Sequence, residues 1–330
     1  MTPIVTRRRL MLGTLALSGS LLPGARRVAA QPYPARPVRF LVGGAAGSVP
    51  DTVARLVAER LASALGQPVV VEDRPGASGI IAMQALVGAA ADGYTIALAT
   101  MSQAVFNTYL FSKLSYDPLR DLEPVSTLVS GSMVIVCNAR FPAETFGELV
   151  AQARARPGGI LFGTTALGSP PDVIARFLMR AVGVDVTFVP FKSGPEGVNA
   201  VLRGDVQLFV DAPLIVAEQV KAGSLKALAV TGHVREKELP DVPTVGEAGF
   251  PAILGEAWIG LVAPARTPPD IIERLNREIT AVLQNPDLRR RLETLSFVAL
   301  TGSPAQFRAL IRDEHARWGT VIREAGLKLD

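Results

Sequence analysis

Ser48 and Asp51 stand three residues apart at the head of an apolar-periodic segment, and Ser169 and Asp172 repeat that spacing later in the chain. The surroundings repeat too: Gly47-Ser48-Val49-Pro50-Asp51 is matched by Gly168-Ser169-Pro170-Pro171-Asp172. In an S-x-x-D box the hydroxyl accepts from a helix N–H while the acid reaches back over the first turn. Pro50 and Pro171 fit that turn, where a missing N–H costs nothing. Each cap follows a short apolar run and a loop of small residues, Gly43 to Gly47 and Gly163 to Gly168. A helix end reached through such a loop offers free N–H groups and the positive end of the dipole, chemistry suited to a carboxylate or phosphate. Two such ends facing each other would grip an anion, and bulk added at Gly47 or Gly168 would block it. Thr145 with Glu148, Thr267 with Asp270 and Ser303 with Gln306 have the same spacing. A cap alone therefore fits a structural role equally well, and it is the preceding strand and small-residue loop that set the first two apart.

Around these caps the chain offers hydrogen-bonding groups without a catalytic pKa. They are the backbone of Gly44, Ala45, Ala46, Gly47 and Gly168, the side chains of Ser48, Thr100, Ser102 and Gln103, and those of Thr164, Thr165 and Ser169. Serine and threonine also serve local turns, so each has a structural reading. The turn Pro190-Phe191-Lys192-Ser193-Gly194 and the bend Asp211-Ala212-Pro213 fall at strand ends, where open α/β sheets bind ligands. Lys192 could neutralise an anion or simply be solvated. Asp51 and Asp172 leave two outcomes open. If capping occupies both, the site favours a carboxylate; if either turns inward, an ammonium group, and so an amino acid, is favoured.

The absences are equally informative. There is no H-E-x-x-H, no cysteine pair, no calcium loop, no G-x-S-x-G and no P-loop. Gly43 to Gly47 lacks dinucleotide-binding spacing. No cofactor, metal site or catalytic set is expected, and the chain reads as a binder rather than an enzyme. His233 and His315 lie in a polar loop and an arginine-rich helix, both read as surface positions. Cys137, the single cysteine, falls in the apolar run Met133 to Cys137 and reads as an inert core thiol.

Residues 1–30 have the form of an export signal: Arg7-Arg8-Arg9, an apolar stretch from Leu10 to Leu22, and small residues at Val28-Ala29-Ala30. Cleavage would start the mature chain at Gln31, and the arginines fit a twin-arginine route to the periplasm or, equally, the general one. The five arginines in this segment leave 29 of 34 basic residues against 30 acidic ones, so the formal charge of +4 belongs to the signal. Nothing elsewhere resembles a nucleic-acid surface.

Beyond the signal, apolar runs at Val38 to Val42, Pro68 to Glu72 and Tyr94 to Ala99 alternate with helical segments from Ser48 and Ile80. Further runs at Met133, Ile160, Val186, Leu208 and Leu225 build a second unit, and Trp258 to Val262 precedes helices from Pro269, Asp287 and Pro304. This rhythm predicts an α/β protein of two lobes, each a mainly parallel sheet flanked by helices, with the ligand cleft between them. Crossings near 131 and 254 would make a hinge, assigning 31–131 plus 255–330 to one lobe and 132–254 to the other.

Several ordered motifs resemble the Bug-type extracytoplasmic solute receptors of tripartite tricarboxylate transporters. They are Pro37 to Val42 leading to Asp51, Glu72 to Ala77, Ala91 to Thr95, Tyr116-Asp117-Pro118, Val189 to Lys192, Leu228 to Thr231, Leu239 to Thr244, and Ala263-Pro264 with Thr267-Pro268-Pro269. The resemblance implies a type II-like periplasmic binding protein, a monomer that closes on a small organic acid through amides, hydroxyls and bridging water. The loop after the first strand, the Thr100 region, the loop before Ser169 and the Lys192 turn would line its cleft. A permease with one large and one small membrane subunit would be the partner; some similar proteins instead serve a sensor kinase. Gly43-Gly44 replaces the family's common Pro-Phe, Ser48 a glycine, and Ala104 and Asp172 replace frequent histidines. The cleft should then be less basic and roomier, suiting a bulkier or aromatic acid, or a ligand with a donor for Asp172.

Overall fold

Alternating apolar runs and capped segments become strands and helices in a computed structural model that describes residues 33–250, 255–324 and 326–329. The signal-like segment 1–30 and the crossing position 254 lie outside the described residues. Strand β1 (Val38–Val42) leads through the small-residue loop to helix α1 (Val49–Leu65), whose buried face carries Val53, Leu56, Val57 and Leu61. Left-handed Gly66 ends that helix. Strand β2 (Val69–Asp73), a 3₁₀ turn at Ala77–Gly79, helix α2 (Ile80–Val87) and the fully buried strand β3 (Thr95–Thr100) follow. After β3 the chain makes a π-helical turn, Ser102–Phe106, and short helices α3 (Asn107–Leu110) and α4 (Pro118–Asp121). Strand β4 (Leu122–Gly131) then leads to the second sheet.

The second sheet and its helices comprise β5 (Val134–Asn138), α5 (Phe146–Ala155), β6 (Leu161–Thr165), α6 (Pro170–Ala181), β7 (Thr187–Phe191), α7 (Gly194–Arg203), β8 (Leu208–Asp211), α8 (Pro213–Lys221) and β9 (Leu225–Val230). The chain returns through β10 (Ala257–Pro264) to α9 (Pro269–Gln284), α10 (Pro286–Thr294), the two-residue β11 (Val298–Ala299) and α11 (Pro304–Glu324).

The first sheet runs β11-β4-β10-β3-β1-β2 and the second β7-β6-β8-β5-β9. Parallel pairing joins β1 to β2 and β3, and β6 to β7 and β8, the halves that carry the cap loops. The remaining pairs, β10 with β3 and β4, β11 with β4, and β5 with β8 and β9, are antiparallel. Both sheets are therefore mixed, because crossover helices impose parallel pairing only within βαβ units while strands arriving from the other lobe enter in either sense. Strand β4 escapes sequence reading, since Glu123 and Pro124 interrupt its apolar period.

Thr231 ties the two crossings. Its N–H donates to the Met133 carbonyl at 2.9 Å, its hydroxyl oxygen accepts from Met133 N, and its carbonyl accepts from Gly255 N. Helices α9 and α10 pack on α1, and α11 packs on β4 and the π turn, so the last helices lie against the first sheet and its helices. Cys137 is buried, and burial pushes its thiol up to about 11, consistent with a core role. His315 departs from the surface reading. It is 7% exposed, because it falls on the buried face of α11 with Phe307, Ile311, Trp318 and Ile322, while Arg312, Arg317 and Arg323 stay exposed.

Candidate functional site

The two cap loops share one local geometry. Ser48 sits at φ −72°, ψ 164° and Ser169 at φ −71°, ψ 163°, each hydroxyl oxygen accepting from the backbone N–H of its aspartate. Gly47 and Gly168 both have φ 77°. That left-handed conformation is natural to glycine. Asp51 Oδ2 accepts from Gly47 N at 2.7 Å, and Asp172 Oδ2 from Gly168 N at 3.0 Å. Each second carboxylate oxygen meets the arginine one turn on: Asp51 Oδ1 lies 2.6 Å from Arg55 Nε, and Asp172 Oδ1 accepts from Arg176 Nε at 3.0 Å and from Thr164 Oγ1 at 2.8 Å. Capping and ion pairing thus occupy both acids.

The surroundings of the loops differ. Ala45, Ala46 and Gly47 are exposed, and a Cβ built on Gly47 would meet nothing within 4 Å. Gly168 is buried, and a Cβ there would lie 2.7 Å from Leu329 Cδ1 and 3.2 Å from Leu110 Cδ1 and Ser78 Oγ. The second-lobe loop is gripped by the first lobe: Ser102 Oγ donates to the Gly168 carbonyl and Ser78 Oγ to the Leu167 carbonyl, both at 2.9 Å. The structure therefore seats the α6 loop on the residues after β3 and before α2, and no hydrogen bond joins it to the α1 loop among the described contacts. Gly44 packs on its own cap, a Cβ there falling 2.4 Å from Ser48 Oγ, while the neighbouring Gly43 lies against Gly79 and Gln103.

A buried network shapes the first-lobe side. Gln103 Oε1 accepts from Thr100 N and Oγ1 at 2.7 and 2.6 Å, Gln103 Nε2 donates to the Ser78 carbonyl at 2.9 Å, and Tyr116 Oη donates to the Gln103 carbonyl. Asn107 Nδ2 donates to the same Ser78 carbonyl at 3.2 Å. These two bonds hold Ser78 at φ 51°. For serine that is a strained conformation. Ser78 and Asn107 escaped sequence reading. The signal for Ser78 was present, because Gly76 to Gly79 is a third small-residue loop opening a helix.

In the second lobe, Ser169 Oγ donates to the Thr165 carbonyl, and Thr165 pairs in register with Phe191. The Phe191 carbonyl accepts from Ala166 N at 2.7 Å, tying the Lys192 turn to the cap loop, while the Phe191 ring packs on Phe209. Lys192 is exposed, its N–H donating to Glu196. Asp211 is buried and accepts from Ala212 N, and a Cβ on Gly194 would fall 2.7 Å from its Oδ2. Burial pushes the Asp211 carboxyl up to about 7, well above an exposed aspartate, which favours its neutral form. Asp211 belongs to the Lys192 turn rather than to the Ser78–Ser102 contact.

A cavity of about 80 Å³ is lined by Asp172 and Arg176 together with Leu110, Leu167 and the tail Leu327, Lys328 and Leu329. A larger groove, about 290 Å³, runs between Val234–Lys237 and Arg289–Ala299 and touches none of the candidate residues. Among the described residues no group of three or more His, Cys, Asp or Glu stands ready for a metal.

Two lobes joined by paired crossings, with serine hydroxyls of one bonded to loop carbonyls of the other, have the architecture of a solute-binding receptor of the periplasmic binding protein fold. The model of the tripartite tricarboxylate transporter family receptor matches residues 53–327, and the chain belongs to that family. BugT of Bordetella pertussis is 35% identical over 327 residues, covering 98% of this chain and 99% of BugT. Among solved structures, Rpa4515 of R. palustris with adipate superposes with a TM-score of 0.84 at 30% identity, covering 90% of this chain and 100% of that one. MatC (Rpa3494) from Rhodopseudomonas palustris with bound malate gives 0.81 at 31% identity, covering 88% and 100%.

Proposed function

We propose that this chain is a periplasmic solute-binding protein that captures a small organic carboxylate between its lobes and delivers it to a tripartite tricarboxylate-type permease. The observation that carries the ligand class is the closure of both cap acids onto their own loops. With Asp51 and Asp172 engaged by Gly47, Gly168, Arg55 and Arg176, neither is directed to a ligand's ammonium group. What remains is hydroxyls and backbone N–H groups at helix N-termini, a chemistry that favours an anion; Ser102, Thr100 and Ser169 donate to Gly168, Gln103 and Thr165 in this form, and in this reading the acid takes the place of those partners. Adipate on one relative and malate on another support a carboxylic acid here too. Ser48, Thr100, Ser102, Thr165, Ser169 and Lys192 with the loop amides are the candidate ligand contacts, and no chemistry is performed on the acid.

In this reading residues 1–30 export the chain to the periplasm, by the twin-arginine or the general route. Residues 31–131 with 255–330 form one lobe and 132–254 the other, and the crossings tied by Thr231 act as the hinge. Ligand pockets of several hundred Å³ are usual. The cavity beside Asp172, about 80 Å³, is far smaller, and in this reading the acid enters where the lobes part.

The test is a thermal-shift screen of residues 31–330 against mono-, di- and aromatic carboxylates, amino acids and neutral sugars, followed by calorimetric titration. A ligand at about 100 times its Kd adds about 2.7 kcal/mol, a shift of several degrees. Shifts confined to carboxylic acids, with one site per chain, are the expected result. Selective binding of sugars or of cationic amino acids, or turnover of a bound acid, would overturn the reading.

A further inference from the structure

Helix α11 reaches the cleft through the buried His315 side chain. The π turn Ser102–Phe106 widens the backbone by one residue, with Asn107 N donating five residues back to the Ser102 carbonyl. Such insertions disturb the usual hydrogen-bond ladder and recur at functional positions. Within this turn the Ala104 carbonyl meets a partner from outside, His315 Nε2 at 2.8 Å. A carbonyl can only accept, so Nε2 carries the proton. Nδ1 stands 3.0 Å from Tyr109 Oη, whose hydroxyl also lies 3.0 Å from the His315 carbonyl. If the ring gained a second proton, Tyr109 could turn its own hydroxyl to that carbonyl and accept from Nδ1. The bond to Ala104 survives in either state, and burial lowers the imidazole pKa, favouring the neutral ring.

We propose that His315 is a positioning residue for the ligand cleft: its bond to the Ala104 carbonyl holds the π turn in the shape that delivers Ser102 to Gly168 of the other lobe. Two further contacts agree with this. Trp318, one turn along α11, packs edge-on against Phe106 at the end of the π turn and against Phe177 of α6, at centroid distances of 5.2 and 5.3 Å. A Cβ on Gly319 would fall 2.6 Å from the Tyr109 ring, so α11 approaches α3 closely enough to fix the histidine. The consequence for affinity rests on the carboxylate-receptor reading; the consequence for the turn does not.

The test is amide hydrogen exchange on the ligand-free full chain, with calorimetric titration of adipate and malate alongside. His315→Met fills the space without a donor, His315→Gln keeps an N–H of similar reach, and Ile322→Ala destabilises α11 away from the turn. Loss of one buried hydrogen bond should raise exchange at Ser102–Asn107 about tenfold in His315→Met beyond any global loss, and weaken acid binding by a similar factor. His315→Gln should stay within about threefold of the parent, as a hydrogen-bond effect of this size allows. Tyr109→Phe, which leaves the ring unanchored at Nδ1, should raise exchange by a smaller factor and serves if His315→Met does not fold.

Equal exchange at the turn in His315→Met and Ile322→Ala would overturn the proposal. So would no rescue by His315→Gln, or no change in Tyr109→Phe where His315→Met is lost. Failure of both acids to bind the parent would count against the carboxylate reading alone, since the exchange result stands without ligand.

Discussion

The loops that open α1 and α6 have the same cap residues, the same cap dihedrals and the same left-handed glycine, yet one stands open and the other is held by the opposite lobe. Local code makes both helix ends competent for an anion. Only at α6 do the carbonyls of Leu167 and Gly168 accept hydroxyls from Ser78 and Ser102. Capping is therefore separable from cleft formation: the first is written within four residues, and the second depends on what the remainder of the fold brings near.

The sharpest way to break this contrast is to add the same side chain at both glycines. Gly47 and Gly168 share one left-handed φ. Valine at either position therefore brings equal backbone strain, about 1 kcal/mol or more. Any difference between the two variants reports tertiary contact. Gly168→Val should abolish acid binding, a loss beyond about 100-fold, because its side chain meets Leu329, Leu110 and Ser78. Gly47→Val should lower stability by the strain and cost less affinity than Gly168→Val, since a Cβ there meets nothing within 4 Å. Equal loss of affinity in calorimetry would restore the symmetric grip that the sequence suggests.

The aspartates give a smaller contrast, read by chemical denaturation. Asp172→Ala strips Thr164, Gly168 and a largely buried Arg176 of their partner, and should cost about 3 kcal/mol. Asp51→Ala should cost about 1 kcal/mol, the usual value of a cap. Its Arg55 is half-exposed and still bonded to Asp73, whose carboxyl is held up by burial and then by Asp51's own charge. Matching losses would show that the exposed loop is as tightly built as the buried one.

The smallest effect concerns the bonds across the cleft. Ser102→Ala and Ser78→Ala each remove one hydroxyl from the α6 loop. Each loss is worth about 1 kcal/mol and should weaken acid binding about fivefold, with little change in the stability of either lobe. Small-angle scattering of the ligand-free variants should show a more open population than the parent. Unchanged affinity in both would mean that these contacts do not belong to the closed, ligand-holding form.

Much of this was legible in the chain. The cap loops, the helix that runs Val49–Leu65 and the strands carrying parallel pairs follow from apolar period, proline at the first turn and glycine at loop ends. Strand β4 was not, because Glu123 and Pro124 interrupt its pattern and pairing with β10 supplies what the pattern lacks. Neither was Ser78, whose strain is sustained by Gln103 and Asn107 from another segment. His315 looked like a surface residue among arginines, and only Tyr109 and the Ala104 carbonyl make its burial tolerable.

The sequence by itself determined two capped, anion-competent helix ends and the alternation that builds two α/β lobes, because hydrogen bonds within a turn and the period of apolar residues act over a few positions. The tertiary structure alone decided which of those ends is closed upon, since that choice depends on Ser78, Ser102 and Leu329 arriving from distant points in the chain. Sidedness in the sheets belongs to the same category: antiparallel entry of β4 and β10 is fixed by long-range ladders, which no local signal encodes.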